Sequence, residues 1–261
     1  RIKDVPYQEL YNAGQRAMAA SIGTRRPGTP MMWGFGPTPD GEVVLQQPFQ
    51  PGFADISSNV PLLIGTTFNE LQRLNYNRNI TLEQARTELQ RTFADETDAY
   101  IDAFAEAYPD YTPQDLLSID WLFRPKTIIT ADYVAKSRKA KTYTYMFTWR
   151  SPTNKGSVHG NELNFCFNTL ERAGNELPQP TEQDYELADI MSSVWAQFAK
   201  TGNPNIKELP KWKAYTAKNG EMMIFDYNCE IRNNPDRKLE EIIDRHCFKQ
   251  LDEFRKKQAG K

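Results

Sequence analysis

The sequence predicts an α/β fold with a parallel sheet, and three observations point to it. Residues 60–67 form a continuous apolar run that ends in small residues, which is typical of a central strand buried on both faces. A second strand-like run, rich in aromatic residues, occupies 143–149. The chain between these runs has helical patterns, as a parallel crossover requires. Because this connection is roughly 60 residues long, we expect residues 81–139 to form a cap-like helical insertion.

The chain before the first strand is predicted to hold one helix and then irregular structure. Residues 7–21 have apolar side chains on one side of a helix. Gly, Pro and Arg residues dominate 23–30, which indicates a loop. The Pro-Asp-Gly sequence at 39–41 predicts a tight turn.

Capping signals predict how the insertion begins. Thr81 followed by Gln84 three residues later fits a capping box, in which each side chain accepts a hydrogen bond from the other residue's backbone N–H. We therefore expect a helix that ends near residue 93. Residues 95–107 have the pattern of a second helix, which a Tyr-Pro-Asp sequence ends.

Two prolines predict the rest of the insertion. Thr112 as N-cap, with Pro113 at the first helical position, predicts a third helix. Pro125 is expected to break or kink that helix, because a proline inside a helix removes a hydrogen bond and clashes with the preceding turn. Residues 127–139 should then continue as helix.

The clearest helix of the chain follows the second strand. Its apolar stripe repeats at helical spacing, ends before a glycine, and indicates core packing rather than a cofactor site. The stripe consists of Leu187, Ile190, Met191, Val194, Trp195 and Phe198. Residues 221–226 then predict a short strand, and 237–257 a last helix. His246 lies beside the apolar stripe of that helix, so we interpret it as structural.

Composition excludes several functional classes. A net charge of −2 without a basic stripe predicts no nucleic-acid partner. No run approaches the roughly 20 apolar residues of a membrane span, so no membrane segment is expected. Cys166, Cys229 and Cys247 are irregularly spaced, which fits neither a disulfide framework nor a zinc site. They are interpreted as buried free thiols, and a single disulfide in an oxidising compartment stays open as the alternative.

Two polar residues of catalytic type follow the two predicted strands. Glu70 comes directly after the first strand, and His159 lies on a glycine-flanked loop after the second. If the strands are neighbours, both residues emerge at the carboxyl edge of the sheet, where ligands collect in open α/β folds. A carboxylate bonded to one ring nitrogen leaves the other nitrogen as a general base. The order acid-then-histidine is the second half of the order in α/β-hydrolases, where the serine comes first.

The spacing of His159 and Glu162 would also suit a pair of metal ligands on a helix. We exclude a metal site, because the chain has no further histidine cluster and Gly160 stands between the two residues.

Four stretches of the chain carry a family resemblance and keep the family's order. They are Phe-Gly-Pro-Thr-Pro-Asp-Gly at 35–41, Val-Pro-Leu-Leu-Ile-Gly-Thr-Thr-Phe-Asn-Glu at 60–70, Val-His-Gly-Asn-Glu-Leu-Asn-Phe-Cys-Phe at 158–167 and Trp-Ala-Gln-Phe-Ala-Lys-Thr-Gly-Asn-Pro-Asn at 195–205. With these stretches the chain resembles the carboxy-terminal part of type-B carboxylesterases, the family that includes cholinesterases and bacterial para-nitrobenzyl esterases. The third and fourth stretches together are quite specific, whereas the second alone would be a weak signal.

The resemblance implies an α/β-hydrolase fold, with residues 1–261 as the carboxy-terminal part of one domain that carries the last strands of the central sheet. It implies that Glu70 is the acid and His159 the base of a catalytic triad, that the substrate is a small-molecule carboxylic ester, and that no cofactor is used. Glu162, in the family's His-Gly-x-Glu pattern, would lie outside the triad and hold the His159 loop in place. At the acid site, Phe-Asn-Glu-Leu at 68–71 departs from the relatives' usual Lys-Asp-Glu-Gly type of run.

The nucleophile of such a triad is missing from the sequence. No Gly-x-Ser-x-Gly motif occurs, because the serine of the Gly-Ser-Val-His-Gly run at 156–160 stands one place too early. The Gly-rich oxyanion loop is missing as well, and in the family both lie upstream. Since acyl transfer needs a nucleophile and oxyanion donors, we expect the isolated chain to be inactive. Its partner would be the upstream half of the same polypeptide.

The start of the chain fits this expectation. The chain opens at Arg1 rather than at Met and shows no signal peptide, so we expect a piece of a longer protein. The sequence does not indicate a localisation, although the resemblance slightly favours a secreted or periplasmic protein. Exposed apolar edges left by the missing strands predict self-association of the fragment.

A non-catalytic, cholinesterase-like binding or adhesion module is the alternative. Such modules usually lose one of the three triad groups, whereas both visible groups are present here. The sequence therefore favours a serine carboxylesterase over the binding module.

Overall fold

The computed structural model describes residues 2–22, 39–45, 57–71, 80–137, 139–153 and 156–247. The chain forms two compact units, Arg1–Gly52 and Phe53–Lys261. Within the residues that are described, no helix is both long and apolar enough to cross a bilayer.

The first unit contains helix α1, Tyr7–Ile22, which confirms the helix predicted there. The first unit also contains a turn at Asp40. The Asp40 Oδ1 accepts the backbone N–H groups of residues 42, 43 and 44, each at 2.9 Å. The turn predicted at 39–41 is thus present, whereas the loop predicted at 23–30 lies outside the described residues.

The second unit is built on a sheet with the strand order β1-β2-β3-β4. Strands β1, β2 and β3 are parallel, and β4 pairs antiparallel to β3. The strands are β1 Leu62–Thr67, β2 Thr142–Phe147, β3 Glu221–Phe225 and β4 Glu230–Asn233. The first three confirm the predicted strands. Strand β4 was not predicted, because its sequence, Glu-Ile-Arg-Asn, has one apolar residue and shows no strand periodicity.

The register of β1 and β2 aligns their carboxyl ends. Leu62 lies opposite Thr142 at the start of the pair, and Thr67 lies opposite Phe147 at its end. The segments that leave the two strands therefore emerge together at one edge of the sheet.

The helical connection between β1 and β2 contains α2 Leu82–Phe93, α3 Thr97–Ala107, α4 Asp115–Ser118 and α5 Arg124–Ser137. The capping box of α2 is confirmed: Thr81 Oγ1 accepts the Gln84 N–H at 3.2 Å, and Gln84 Oε1 accepts the Thr81 N–H at 2.8 Å. The helices lie within the insertion predicted over 81–139, and its role as a cap stays a prediction.

Thr112 and Pro113 do not start a helix, so this prediction is wrong. The short α4 begins at Asp115 instead. The Asp115 carboxylate accepts the Thr112 backbone N–H at 2.7 Å and its hydroxyl at 2.8 Å, which holds residues 112–114 in a turn.

The break expected at Pro125 is also wrong. Asp120 starts α5 by accepting the backbone N–H groups of residues 122, 123 and 124 at 2.8, 3.1 and 2.7 Å. Pro125 is the second residue of α5. A proline in the first turn removes no intrahelical hydrogen bond, because these N–H groups have no partner within the helix.

The remaining helices are α6 Leu163–Cys166, α7 Glu182–Thr201 and α8 Arg237–Cys247. The long α7 is confirmed, and Gly202 ends it at a φ of +70°. The described part of the last predicted helix is confirmed as α8, and the rest of it lies outside the described residues.

Two apolar clusters pack on opposite faces of the sheet. Met222 and Ile224 of β3 join side chains of α2, α3, α4 and α8 on one face. Met223 and Phe225 join side chains of α6 and α7 on the other. Alternate residues of one strand thus bury against two helical layers, which explains the continuous apolar runs of the central strands.

Candidate active site

The backbone brings Glu70 and His159 together just beyond the ends of β1 and β2. The chain that leaves β2 returns at Ser157 and pairs in parallel with the segment after β1. Asn69 donates its N–H to the Ser157 carbonyl at 2.9 Å, and His159 donates its N–H to the Glu70 carbonyl at 3.1 Å. A parallel bridge between Glu70 and Val158 lies between these bonds. Both site residues predicted from the strand ends are therefore neighbours.

The side chains of the pair also make contact. His159 Nδ1 lies 2.5 Å from Glu70 Oε2. The other carboxylate oxygen, Oε1, accepts the Thr67 backbone N–H at 2.8 Å, and the Glu70 N–H donates to Thr67 Oγ1 at 3.0 Å. The Glu70 side chain is 8% exposed, whereas that of His159 is 60% exposed. A buried carboxylate thus holds one nitrogen of an accessible imidazole.

This geometry assigns the two ring nitrogens of His159. Glu70 as a carboxylate can only accept, so Nδ1 carries the hydrogen that points to it. In the neutral ring, Nε2 then has the free electron pair and can take a proton from an incoming group.

Glu70 has a strained backbone, with a φ of +44°. Residues other than glycine seldom adopt this left-handed conformation, and strain of this kind persists where the surroundings fix it. Here the surroundings are the two Thr67 bonds and the pairing with the His159 loop.

An aromatic side chain that no sequence pattern predicted stacks beside the imidazole. The Phe123 ring lies nearly parallel to that of His159, with 5.8 Å between the ring centroids and 13° between the planes. Phe123 stands at the start of α5, where Asp120 accepts its N–H. Burial, and to a lesser degree the Glu70 charge, raises the pKa of Asp120. No local sequence pattern marks these residues, because their roles depend on tertiary contacts.

The residue predicted to lie behind the pair, Glu162, stands at the start of α6. Its carbonyl accepts the N–H groups of residues 165 and 166 at 3.1 and 2.8 Å. Its carboxyl Oε2 is buried and makes no hydrogen bond within the described part of the chain. Burial raises the pKa of Glu162, and the negative charge of Glu70 adds to the effect. The side chain bonded to the loop is Asn161, whose Oδ1 accepts the Val158 N–H at 2.7 Å.

The cysteines are unsuited to act as the nucleophile. Cys166, Cys229 and Cys247 are all free thiols. Burial raises the pKa of each thiol, and that of Cys247 to about 11. Because only the thiolate is a good nucleophile, none is activated near neutral pH.

The other histidine is part of a structural contact between helices. His246 Nε2 on α8 lies 2.7 Å from Glu96 Oε2, and the ring meets that of Phe93 edge-to-face. Arg245 and, to a lesser degree, His246 lower the pKa of Glu96 to about 2. Among the described residues, no group of three or more His, Cys, Asp and Glu side chains could hold a metal ion.

Comparisons with known proteins identify the family of the chain. Residues 2–242 match the sequence profile of the Carboxylesterase family. The chain is 30% identical over 218 residues to para-nitrobenzyl esterase of Bacillus subtilis, which covers 77% of this chain and 41% of the relative. Carboxylesterase 1E of Rattus norvegicus is 30% identical over 127 residues, which covers 44% of this chain and 21% of the relative.

Two solved structures cover nearly the whole chain. An esterase of Clostridium hathewayi that can hydrolyse aliphatic aromatic polyesters superimposes with a TM-score of 0.79 at 27% identity, over 94% of this chain and 48% of its own. A carboxylesterase of Geobacillus stearothermophilus gives a TM-score of 0.59 at 25% identity, over 93% of this chain and 50% of its own. These neighbours have the α/β-hydrolase fold, so the predicted fold is confirmed. The chain spans half or less of the length of each of these four proteins.

Proposed function

Because the chain belongs to the carboxylesterase family, we propose that it supplies the acid and the base of a serine carboxylesterase. The nucleophilic serine and the oxyanion donors come from an upstream half of the same polypeptide. The observation that carries this proposal is the 2.5 Å contact between His159 Nδ1 and Glu70 Oε2 at the carboxyl edge of the sheet. That contact leaves an accessible Nε2 as a base, which is the role that a histidine plays in a serine hydrolase.

In the proposed reaction, His159 Nε2 takes the proton of the serine hydroxyl as its oxygen attacks the ester carbonyl. Glu70 accepts the Nδ1–H hydrogen bond and stabilises the imidazolium. The proton passes to the leaving alcohol, and the acyl group stays on the serine. His159 then deprotonates a water that attacks the acyl-enzyme, which releases the carboxylic acid and restores the serine hydroxyl.

The proposed substrate is a small-molecule carboxylic ester. The names of two relatives, a para-nitrobenzyl esterase and an esterase of aliphatic aromatic polyesters, refer to aromatic esters. An aromatic group in the substrate is therefore part of the proposal.

Glu162 has a supporting role in this proposal. Its carbonyl starts α6 directly after the His159 loop, so the helix holds the end of the loop in place. The loop turns at Gly160, which has a φ of +83°.

The upstream half is also the proposed partner of β1. In the described part of the chain, β1 is an outer strand of the sheet, although its sequence, Leu-Leu-Ile-Gly-Thr-Thr, is that of a central one. An unpaired apolar edge promotes pairing with another chain, so the isolated fragment should self-associate. Size-exclusion chromatography at two concentrations tests this, and a monomer at both would contradict it.

The experiment that tests the proposal compares the full-length protein with this 261-residue chain. Each is assayed for hydrolysis of a short-chain nitrophenyl ester. We expect turnover by the full-length protein alone, because the chain lacks the nucleophile and the oxyanion donors. Turnover by the chain would contradict an upstream nucleophile. No turnover by either would favour a non-catalytic binding module.

A further inference from the structure

Asn69 lies where three segments of the second unit meet. It precedes the predicted triad acid, pairs with the loop that carries His159, and reaches the end of α4. Its Oδ1 accepts the Ser157 N–H at 2.7 Å, and its own N–H donates to the Ser157 carbonyl at 2.9 Å. Its Nδ2 donates to the Ser118 carbonyl at 2.8 Å and contacts Ser118 Oγ at 3.3 Å. At 1% exposure, every polar group of this side chain is used inside the protein.

These bonds hold both backbone polar groups of Ser157. The Ser157 hydroxyl in addition donates to the Phe147 carbonyl at the end of β2, at 2.8 Å. The chain leaves the sheet after Phe147 and returns only at Ser157, so strand pairing alone does not carry the register across this gap. A shift of one residue would turn the His159 side chain to the other face.

We propose that Asn69 is the positioning residue that sets the contact between Glu70 and His159. Ser157 stands two residues before His159, so in extended chain the two residues share a face and a register. We call the two bonds between Asn69 and Ser157 the Asn69 clamp. By fixing Ser157, the clamp places the His159 N–H opposite the Glu70 carbonyl and the imidazole opposite the carboxylate. The hydrogen bond from Asn69 Nδ2 to the Ser118 carbonyl, at the end of α4, fixes the orientation of the Asn69 side chain. The catalytic consequence rests on the proposed esterase function, whereas the geometric one does not.

The chain offers a matched control for this clamp. Asn205 holds a backbone segment in the same way: its Oδ1 accepts the Trp212 N–H at 2.8 Å, and its Nδ2 donates to the Trp212 carbonyl at 2.9 Å. Its bonds join segments around the end of α7 and touch neither Glu70 nor His159. Removal of either side chain deletes one bond accepted from a backbone N–H and one bond donated to a backbone carbonyl. Only the removal of Asn69 should affect the imidazole.

The test uses the full-length protein with Asn69→Ala, Asn69→Asp and Asn205→Ala. Two readouts are taken: kcat and KM for a nitrophenyl ester, and the downfield proton resonance of the His159 Nδ1–H, assigned by its loss in His159→Gln. We expect Asn69→Ala to lower kcat on the order of 100-fold, the scale of a misplaced catalytic group, with KM unchanged and the resonance lost. Asn205→Ala should leave both readouts unchanged.

Asn69→Asp keeps an acceptor for the Ser157 N–H but cannot donate to Ser118 as a carboxylate. It should retain the resonance and lose less of kcat than Asn69→Ala does. If Asn69→Ala does not fold, Asn69→Asp decides alone, and a wild-type kcat with an unshifted resonance in that folded variant would overturn the proposal.

A kcat and a resonance equal to those of the wild type in Asn69→Ala would also overturn the positioning role of Asn69. Equal losses of kcat in Asn69→Ala and Asn205→Ala would do the same. If the wild type hydrolyses no ester, the resonance still tests the positioning role. The two proposals can therefore fail separately.

Discussion

Glu70→Gln tests the proposed role of Glu70 as the triad acid, because the hydrogen bonds around Glu70 determine the orientation of the new amide group. The Thr67 N–H donates to Oε1 and therefore requires the amide oxygen at that position. The amide NH₂ then replaces Oε2, 2.5 Å from His159 Nδ1. An NH₂ group can only donate, so it selects the imidazole tautomer with its hydrogen on Nε2. That tautomer cannot take a proton from the proposed serine nucleophile.

The size of the expected loss of kcat follows from the free energy needed to reverse the amide of Gln at position 70. The flipped amide would leave the Thr67 N–H without a partner in a buried site, which costs about 1–3 kcal/mol. The productive orientation would then make up on the order of 1–20% of the population. The variant also loses the negative charge that stabilises the imidazolium. The corresponding change in serine proteases lowers kcat about 10⁴-fold. We therefore expect a loss of about 10²- to 10⁴-fold, equivalent to about 3–5 kcal/mol in the barrier.

The assay is steady-state hydrolysis of a nitrophenyl ester by the full-length protein. Glu96→Gln is the matched control, because Glu96 pairs with the other histidine, His246, at 2.7 Å. It should leave kcat unchanged. Near-wild-type kcat in Glu70→Gln, or an equal loss in Glu96→Gln, would refute the assigned tautomer and the role of Glu70.

Two further predictions concern stability. Gly65→Ala should cost about 1–3 kcal/mol of unfolding free energy, because the added Cβ would collide with the ring and carbonyl of Tyr145. An unchanged urea midpoint would count against that packing. Asp236→Ala should cost about 3–5 kcal/mol of unfolding free energy. The reason is that it leaves the buried Arg124 charge without its hydrogen bonds of 2.6 and 2.9 Å to the carboxylate. A calorimetric melting temperature equal to that of the wild type would contradict this prediction. Burial alone would raise the pKa of Asp236, but the Arg124 charge and hydrogen bonds lower it from its ordinary 3.8. The pair therefore stabilises the fold fully above about pH 4 and less as the pH falls below it, so the acid-induced loss of stability should be smaller in Asp236→Ala.

The sequence predicted those parts of the fold whose signals are local. The β1 and β2 runs are apolar on both faces because helices cover both sides of the sheet, and this pattern is visible without a structure. The capping box at Thr81 also depends on neighbouring residues alone. The starts of α4 and α5 were mispredicted. For α5 the capping residue is Asp120, which accepts the N–H groups at the start of the helix and places Pro125 in the first turn, where a proline is tolerated.

The candidate site divides in the same way. Glu70 and His159 could be predicted because each follows a strand, and parallel strands align their carboxyl ends. The stacking of Phe123 and the clamp at Asn69 join segments that are distant in the chain. No spacing rule reveals such contacts, so they require the structure.

The proposed function depends above all on His159 acting as the base of an ester hydrolase. The most direct measurement compares ester hydrolysis by the full-length protein with that of His159→Ala and His246→Ala. Both histidines lie beside a glutamate, but only His159 stands at the carboxyl edge of the sheet. We expect His159→Ala to abolish turnover and His246→Ala to retain it. Retained turnover in His159→Ala would show that His159 is not the base.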